Sequence, residues 1–252
     1  MNTKKVVMAA AALIIIAIIG NTAMFLAGKS PVAVAGVYEE KSLSAEGINK
    51  IQVKTKVGDV DFIQYDGEEI QVRLDGKSSQ KRKGKERLTV EAVGNAAIIR
   101  ADSELSRKFF SIGVQSYHMK IKVPKKIWKS IDMDVKTGDI LIDGIEAGKI
   151  RMRSTVGDIE GKNLAGEIEC RTEAGDIDLG MLKIEKDIRA VSEVGDITIK
   201  TKEIPAALQT DLRSSVGDEN ISLPGVEHNF IGTGGPLVKA TSDVGDISLE
   251  MD

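Results

Sequence analysis

The sequence predicts an all-β protein: a β-solenoid-like stack of short strands with Gly-Asp corners, behind one N-terminal transmembrane helix. Three observations carry this. Gly-Asp occurs seven times, at Gly58, Gly138, Gly157, Gly175, Gly195, Gly217 and Gly245, and the last six are separated by 19, 18, 20, 22 and 28 residues. A repeat of that length marks stacked supersecondary units. The residues on either side of each Gly-Asp alternate apolar and polar, the period of a half-buried strand. Finally, Val6–Ala27 is a 22-residue segment broken only by Gly20, Asn21 and Thr22. As a helix rising roughly 1.5 Å per residue it spans a hydrocarbon core of about 30 Å.

Lys4 and Lys5 precede the apolar segment and only Lys29 follows closely. The positive-inside bias therefore puts the N-terminus in the cytoplasm and the rest of the chain outside a bacterial cell membrane. Residues 1–27 read as a cytoplasmic tip and anchor. The competing reading is secretion, with cleavage following Ala35, because Ala33-Val34-Ala35 is an A-x-A pattern. Residues 28–47 contain Gly28, Pro31, Gly36 and Gly47 without sustained periodicity and read as a tether. Residues 48–252 form the extracytoplasmic β-repeat domain, with a regular array over 131–252.

Within the repeat, the positions seven, five, three and one before glycine hold small or apolar side chains. The column at minus seven is Ile51, Ile131, Ile150, Ile168, Ile188, Thr210 and Val238, and that at minus one is Val57, Thr137, Val156, Ala174, Val194, Val216 and Val244. The column at minus three is largely hydroxylic, with Thr55, Ser154, Thr172, Ser192, Ser214 and Ser242 placed to bond one another or nearby backbone. After Gly-Asp the phase flips: Val60, Ile140, Ile177, Ile197 and Ile247 fall at even offsets from glycine. A flat strand would turn one apolar set outward, so each Gly-Asp must be a bend or bulge, with glycine supplying a positive φ and aspartate bonding local backbone. In the sixth unit Glu219-Asn220 reads as an insertion before Ile221 resumes the pattern. Parallel stacking of equivalent strands is the favoured arrangement; an antiparallel β-sandwich is the alternative, since period two does not choose strand partners. Between Gly58 and Gly138, four alternating segments and a Gly94-Asn95 turn suggest antiparallel strands that extend the sheet or cap it.

The recurrent Val-Gly-Asp-Ile units, the Lys120–Lys126 segment Lys-Ile-Lys-Val-Pro-Lys-Lys before them and the single N-terminal anchor resemble the bacterial putative-adhesin β-strand-repeat family. Its LiaG-like members are membrane-anchored envelope proteins. The resemblance covers about residues 48–252 and implies a non-enzymatic binding or scaffolding role at the envelope, including its stress response. It carries over no catalytic residue.

Composition narrows the chemistry. A single cysteine, Cys170, excludes an internal disulfide framework and a Cys-rich zinc site, and two histidines, His118 and His228, do not make a multi-His centre. A net charge of −3 speaks against a nucleic-acid partner. That total hides a split: residues 1–130 hold 22 Lys+Arg against 13 Asp+Glu, and residues 131–252 hold 13 against 25. Lys81, Arg82, Lys83 and Lys85 form a basic loop suited to anionic lipid or cell-wall polymer, each near-surface cation adding about 1 kcal/mol of attraction. A solvated loop is the plain alternative. The corner aspartates read first as structural. A second reading makes Asp158, Asp176 and Asp196 a calcium ladder at a rung spacing of about 4.8 Å, and hence a calcium-dependent surface adhesin. A third, a glycan-active β-helix enzyme, rests on fold analogy alone. No nucleophile–base pair, phosphate loop or cofactor is legible.

Overall fold

The structure is a computed structural model that describes residues 34–79, 88–101 and 116–252. The segment expected to form the transmembrane helix and the basic residues Lys81, Arg82, Lys83 and Lys85 lie outside the described residues.

Among the described residues nineteen strands are formed. The first seven are β1 (Val34–Ser44), β2 (Lys50–Val57), β3 (Asp59–Tyr65), β4 (Glu69–Ser79), β5 (Leu88–Val93), β6 (Ala96–Ala101) and β7 (Ser116–Pro124). The next six are β8 (Trp128–Thr137), β9 (Ile140–Asp143), β10 (Glu146–Val156), β11 (Ile159–Ala174), β12 (Ile177–Met181) and β13 (Ile188–Val194). The last six are β14 (Ile197–Thr201), β15 (Leu208–Val216), β16 (Glu219–Ser222), β17 (Phe230–Ile231), β18 (Leu237–Val244) and β19 (Ile247–Met251). Among the described residues there is no helix.

Each rung places one strand in each of two facing layers, joined at the Gly-Asp corner. The first layer runs β1-β4-β7-β3-β9-β11-β12-β14-β19-β16. The second runs β5-β6-β2-β8-β10-β11-β13-β18-β15-β17. β11 serves both, turning where Asn163 and Gly166 take φ of 52° and 131°. The rungs pair in parallel, and antiparallel partners occur only towards the ends: β1 and β4, β5, and the short β17. The array is therefore a parallel solenoid, not an antiparallel sandwich.

The columns explain the core. Ile51, Ile131, Ile150, Ile168, Ile188 and Val238 are buried in one row, and Val60, Ile140, Ile159, Ile177, Ile197 and Ile247 in another. Aliphatic side chains of matched size at a rung spacing of about 4.8 Å fill the interior without large aromatics. Trp128 and Phe62 are buried towards the N-terminal end.

Four readings of the sequence change here. Residues 34–44 of the segment expected as a tether form β1, an edge strand of the first layer against β4. The column one before glycine faces solvent: Val156 is 50% exposed, Val194 55%, Val216 65% and Val244 47%. The bulge thus begins before the glycine, so the strand leaves the core after minus three. No residues are inserted in the sixth unit, since Glu219 pairs in register with Ile247 and Ile221 with Leu249. Glutamate simply occupies the isoleucine position. Finally, spatial order departs from chain order: β18 and β19 lie between the β13–β14 rung and the β15–β16 rung.

Candidate functional site

The Gly-Asp corners align into a ridge along the stack. Gly58, Gly138, Gly157, Gly175, Gly195, Gly217 and Gly245 have φ between 118° and 149°. Steric packing demands glycine as much as φ does: a Cβ on Gly195 would lie 2.0 Å from the Gly175 carbonyl oxygen. Such proximity is what lets successive corners bond directly.

Four corner hydrogen bonds tie each rung to the next from Gly138 onward; between the Gly58 and Gly138 corners Val135 lacks the hydroxyl and three remain. Between the corners at Gly175 and Gly195, the Gly175 amide donates to Val194 O and the Ile177 amide to Asp196 O, both at 2.9 Å. In the opposite sense, Ser192 Oγ donates to Gly175 O (3.0 Å) and the Asp196 amide donates to Asp176 Oδ1 (2.8 Å). The aspartate ladder repeats in Asp158 to Asp139, Asp176 to Asp158, Asp246 to Asp196 and Asp218 to Asp246, at 2.7–2.9 Å. The hydroxyl ladder repeats in Ser154, Thr172, Ser242 and Ser214, each donating to the glycine carbonyl of the adjoining rung. Aspartate is suited to this because an ionised carboxylate is a strong acceptor for backbone N–H. Asp158, Asp176 and Asp196 therefore stand in one row with Oδ1 of each already engaged. Among the described residues no group of three or more His, Cys, Asp or Glu is arranged to hold a metal ion.

On the outer face of the first layer near its N-terminal end charges of both signs alternate: Arg73 lies opposite Lys120 and pairs with Asp75 at 2.7 Å, Lys120 is in register with Asp61, and Gln71 lies opposite Lys122. Lys126 has a different role: its Nζ donates to Ala45 O (2.9 Å) and Ile48 O (2.6 Å) and sits 4.2 Å from the Trp128 ring centroid. Burial lowers its pKa. It latches the β1–β2 turn to the start of β8. The Val34–Ser79 pair places the entry into β1 beside the end of β4, where the chain leaves for the basic residues 81–85.

On the second layer an ion-pair network crosses three rungs. Arg151 contacts Asp132 at 2.7 Å and Glu169 at 3.2 Å, and Lys149 contacts Glu167 at 2.8 Å and Glu169 at 3.1 Å. Burial pushes Glu169 upward, but the hydrogen bonds from Lys149 and Arg151 outweigh it and hold its carboxyl below the usual range. His118 Nε2 lies 2.9 Å from Asp61 Oδ2, and His228 sits in a return loop at φ 50°. Cys170 is buried in an inward column, and desolvation drives its thiol far above its ordinary pKa, which makes it a packing residue.

The exposed valine row and the rung order were not legible beforehand. For the valines, a run of bulges was visible as a phase flip, but alternation alone does not say at which residue the flip begins.

Residues 128–250 match the family model described as Toastrack DUF4097. No curated protein matches the chain. Among solved structures, a "putative cell adhesion protein" from Clostridium sporogenes is similar at 14% identity and TM-score 0.53, over 86% of this chain and 100% of that one. A "putative adhesin" from Bacteroides fragilis aligns at 16% identity and TM-score 0.37, over 86% and 97%. The first of these supports the fold alone. Residues 128–250 thus carry the Toastrack repeat, in keeping with the putative-adhesin β-strand repeats that the Gly-Asp periodicity resembles.

Proposed function

We propose that this chain is a membrane-anchored, extracytoplasmic binding or scaffolding module of the bacterial cell envelope, without enzymatic activity, whose N-terminal end meets an anionic surface. The observation that carries the reading is the Val34–Ser79 pairing. It brings the exit towards the apolar segment 6–27 and the exit towards Lys81, Arg82, Lys83 and Lys85 to one edge of the domain. An anchored protein thereby presents its basic loop to the lipid headgroups or inner wall polymer from which it emerges. Lys120 and Lys122 lie on the neighbouring face, with Arg73 beside them paired to Asp75. The acidic array runs away from that edge, as repulsion from the same surface favours. The non-enzymatic reading is supported by the ridge itself, where aspartates and hydroxyls are spent on holding rungs together. A role in envelope stress, as in the LiaG-like proteins, is the finer form of the proposal.

The test is co-sedimentation of residues 34–252 with phosphatidylglycerol vesicles and, separately, with isolated wall polymer. Binding at low salt should fall as the Debye length shrinks to about 8 Å near physiological ionic strength. Neutralising Lys81, Arg82, Lys83 and Lys85 to Gln together should weaken it several-fold with the melting temperature unchanged. Binding that is absent at low salt, or indifferent to salt, overturns the reading.

A further inference from the structure

The residues that precede the corner glycines form a row on the outside of the stack. Thr137, Val156, Ala174, Val194, Val244 and Val216 are successive neighbours in register. From Val156 to Val216 every member of the row is apolar and exposed. Four rung intervals of about 4.8 Å make it a stripe about 19 Å long. The core gains nothing from it, because the strand has already turned outward after the buried hydroxyl column. The backbone does not require it either: Thr137 fills the same place with a polar β-branched side chain and Ala174 with an unbranched one. Single exposed apolar side chains are ordinary, but an unbroken row bordered by charge marks an interaction surface.

The borders are acidic. On one side stand the corner aspartates Asp158, Asp176, Asp196, Asp246 and Asp218, all exposed. Each of the first four gives one oxygen to an amide of the adjoining rung, which leaves its charge in place. The cations of this part of the stack pair with other carboxylates, Glu169, Glu193 and Asp211 among them. On the other side, two before glycine, stand Glu173, Glu193 and Asp243, of which Glu193 is held by Arg171 at 2.8 Å. Two copies meeting ridge to ridge would set these carboxylates against one another. The complementary surface is apolar with cations on both flanks.

Spacing narrows the occupant further. Side chains on one face of a strand recur at about 6.7 Å, well beyond the rung interval. The apolar stripe of an α-helix advances about 5.4 Å per turn, close to it, and about 3.5 turns match the length of the row.

We propose that the valine row is the docking site of a cationic amphipathic helix of another polypeptide. The helix lays its apolar stripe along Val156–Val216 and its Lys and Arg side chains over the two acidic borders. The inference rests on the reading of the chain as a binding module, but on a different surface from the basic residues 81–85, which the test leaves intact.

The test places the full chain in phosphatidylcholine nanodiscs, with empty discs as the blank. The probe is a fluorescent helical peptide of about 14 residues, Leu at positions i, i+3, i+4 and i+7 and Lys elsewhere. Saturable binding is expected at low ionic strength. Val156→Thr, Val194→Thr, Val216→Thr and Val244→Thr together should weaken it about tenfold. The melting temperature should hold, since Thr137 already occupies this position in its own rung. Asp176→Asn with Asp246→Asn keeps the acceptors for the corner amides and should also weaken binding several-fold. Oligolysine of equal charge should bind far more weakly than the probe. The proposal is overturned by no saturable binding, by equal binding to the four-threonine variant, or by oligolysine binding as tightly as the probe. A dimer of the full chain in detergent that the threonines abolish would give the row to a second copy and overturn it equally. Loss of vesicle binding with the probe still bound would remove the anionic-surface reading alone.

Discussion

At the scale of single residues, the corner concentrates the strongest constraints. Gly195 combines φ of 148° with a carbonyl oxygen 2.0 Å from where a Cβ would stand. Gly195→Val should cost about 1–3 kcal/mol from backbone strain and a similar amount from overpacking against the neighbouring rung. Gly36→Ala is the control: nothing lies within 4 Å of its added Cβ, and its effect should stay within about 0.5 kcal/mol. Chemical denaturation of residues 34–252 measures both, and equal effects would remove the corner from the account. Asp196 separates a structural ladder from a calcium ladder. Asp196→Asn keeps an acceptor for the Asp246 amide and should be nearly neutral, whereas Asp196→Ala loses it and should cost about 1 kcal/mol. Melting curves with calcium and with chelator should coincide for the wild type. A calcium-dependent rise abolished by Asp196→Asn would instead make the row a metal site.

At the scale of elements, the repeat was legible because alternation and glycine geometry are local. A strand with one buried face must alternate, and a residue pair that reverses the phase must bend. The end of β10 shows the limit. Ser154, Thr155 and Val156 read as a continuing alternation, yet Ser154 is buried and the next two are exposed. Which residue opens the bulge is decided by the contact with the adjoining corner, which no single strand contains. Glu219 makes the same point from the other side. It looked like an insertion because an isoleucine was missing, but register with Ile247 is a fact about a strand that follows it in the chain. The β18–β19 unit gives a test at this scale. It lies between two rungs, so a chain ending at Gly235 loses the partner of β15 and β16 as well as that of β13 and β14. Amides of residues 208–222 should then exchange without protection in hydrogen-exchange measurements. Retained protection would mean that β15 and β16 pair with β13 and β14 directly.

At the scale of the whole molecule, the charge split acquires a direction. Residues 131–252, with 13 Lys+Arg against 25 Asp+Glu, form the acidic shaft, the described residues before them are nearly balanced at 12 against 10, and the basic excess falls on segments outside the described residues, two of which, 1–33 and 80–87, join the array at the β1–β4 edge. Fractionation of cells making a C-terminally tagged chain should find it in membranes with the tag open to external protease. A soluble product beginning at Gly36 would show processing after Ala35 instead. The sequence alone determined the all-β class, the rung length, the glycine corners and the inward isoleucine rows, because each follows from forces between residues close in the chain. The tertiary structure alone decided parallel pairing and the place of the C-terminal unit inside the stack. The physical reason is that most repeats offer the same corner hydrogen bonds and the same apolar rows to one another. Units that present equivalent surfaces are interchangeable in local energy, so their order is set by where the connecting loops and the rungs at the two ends allow each to lie.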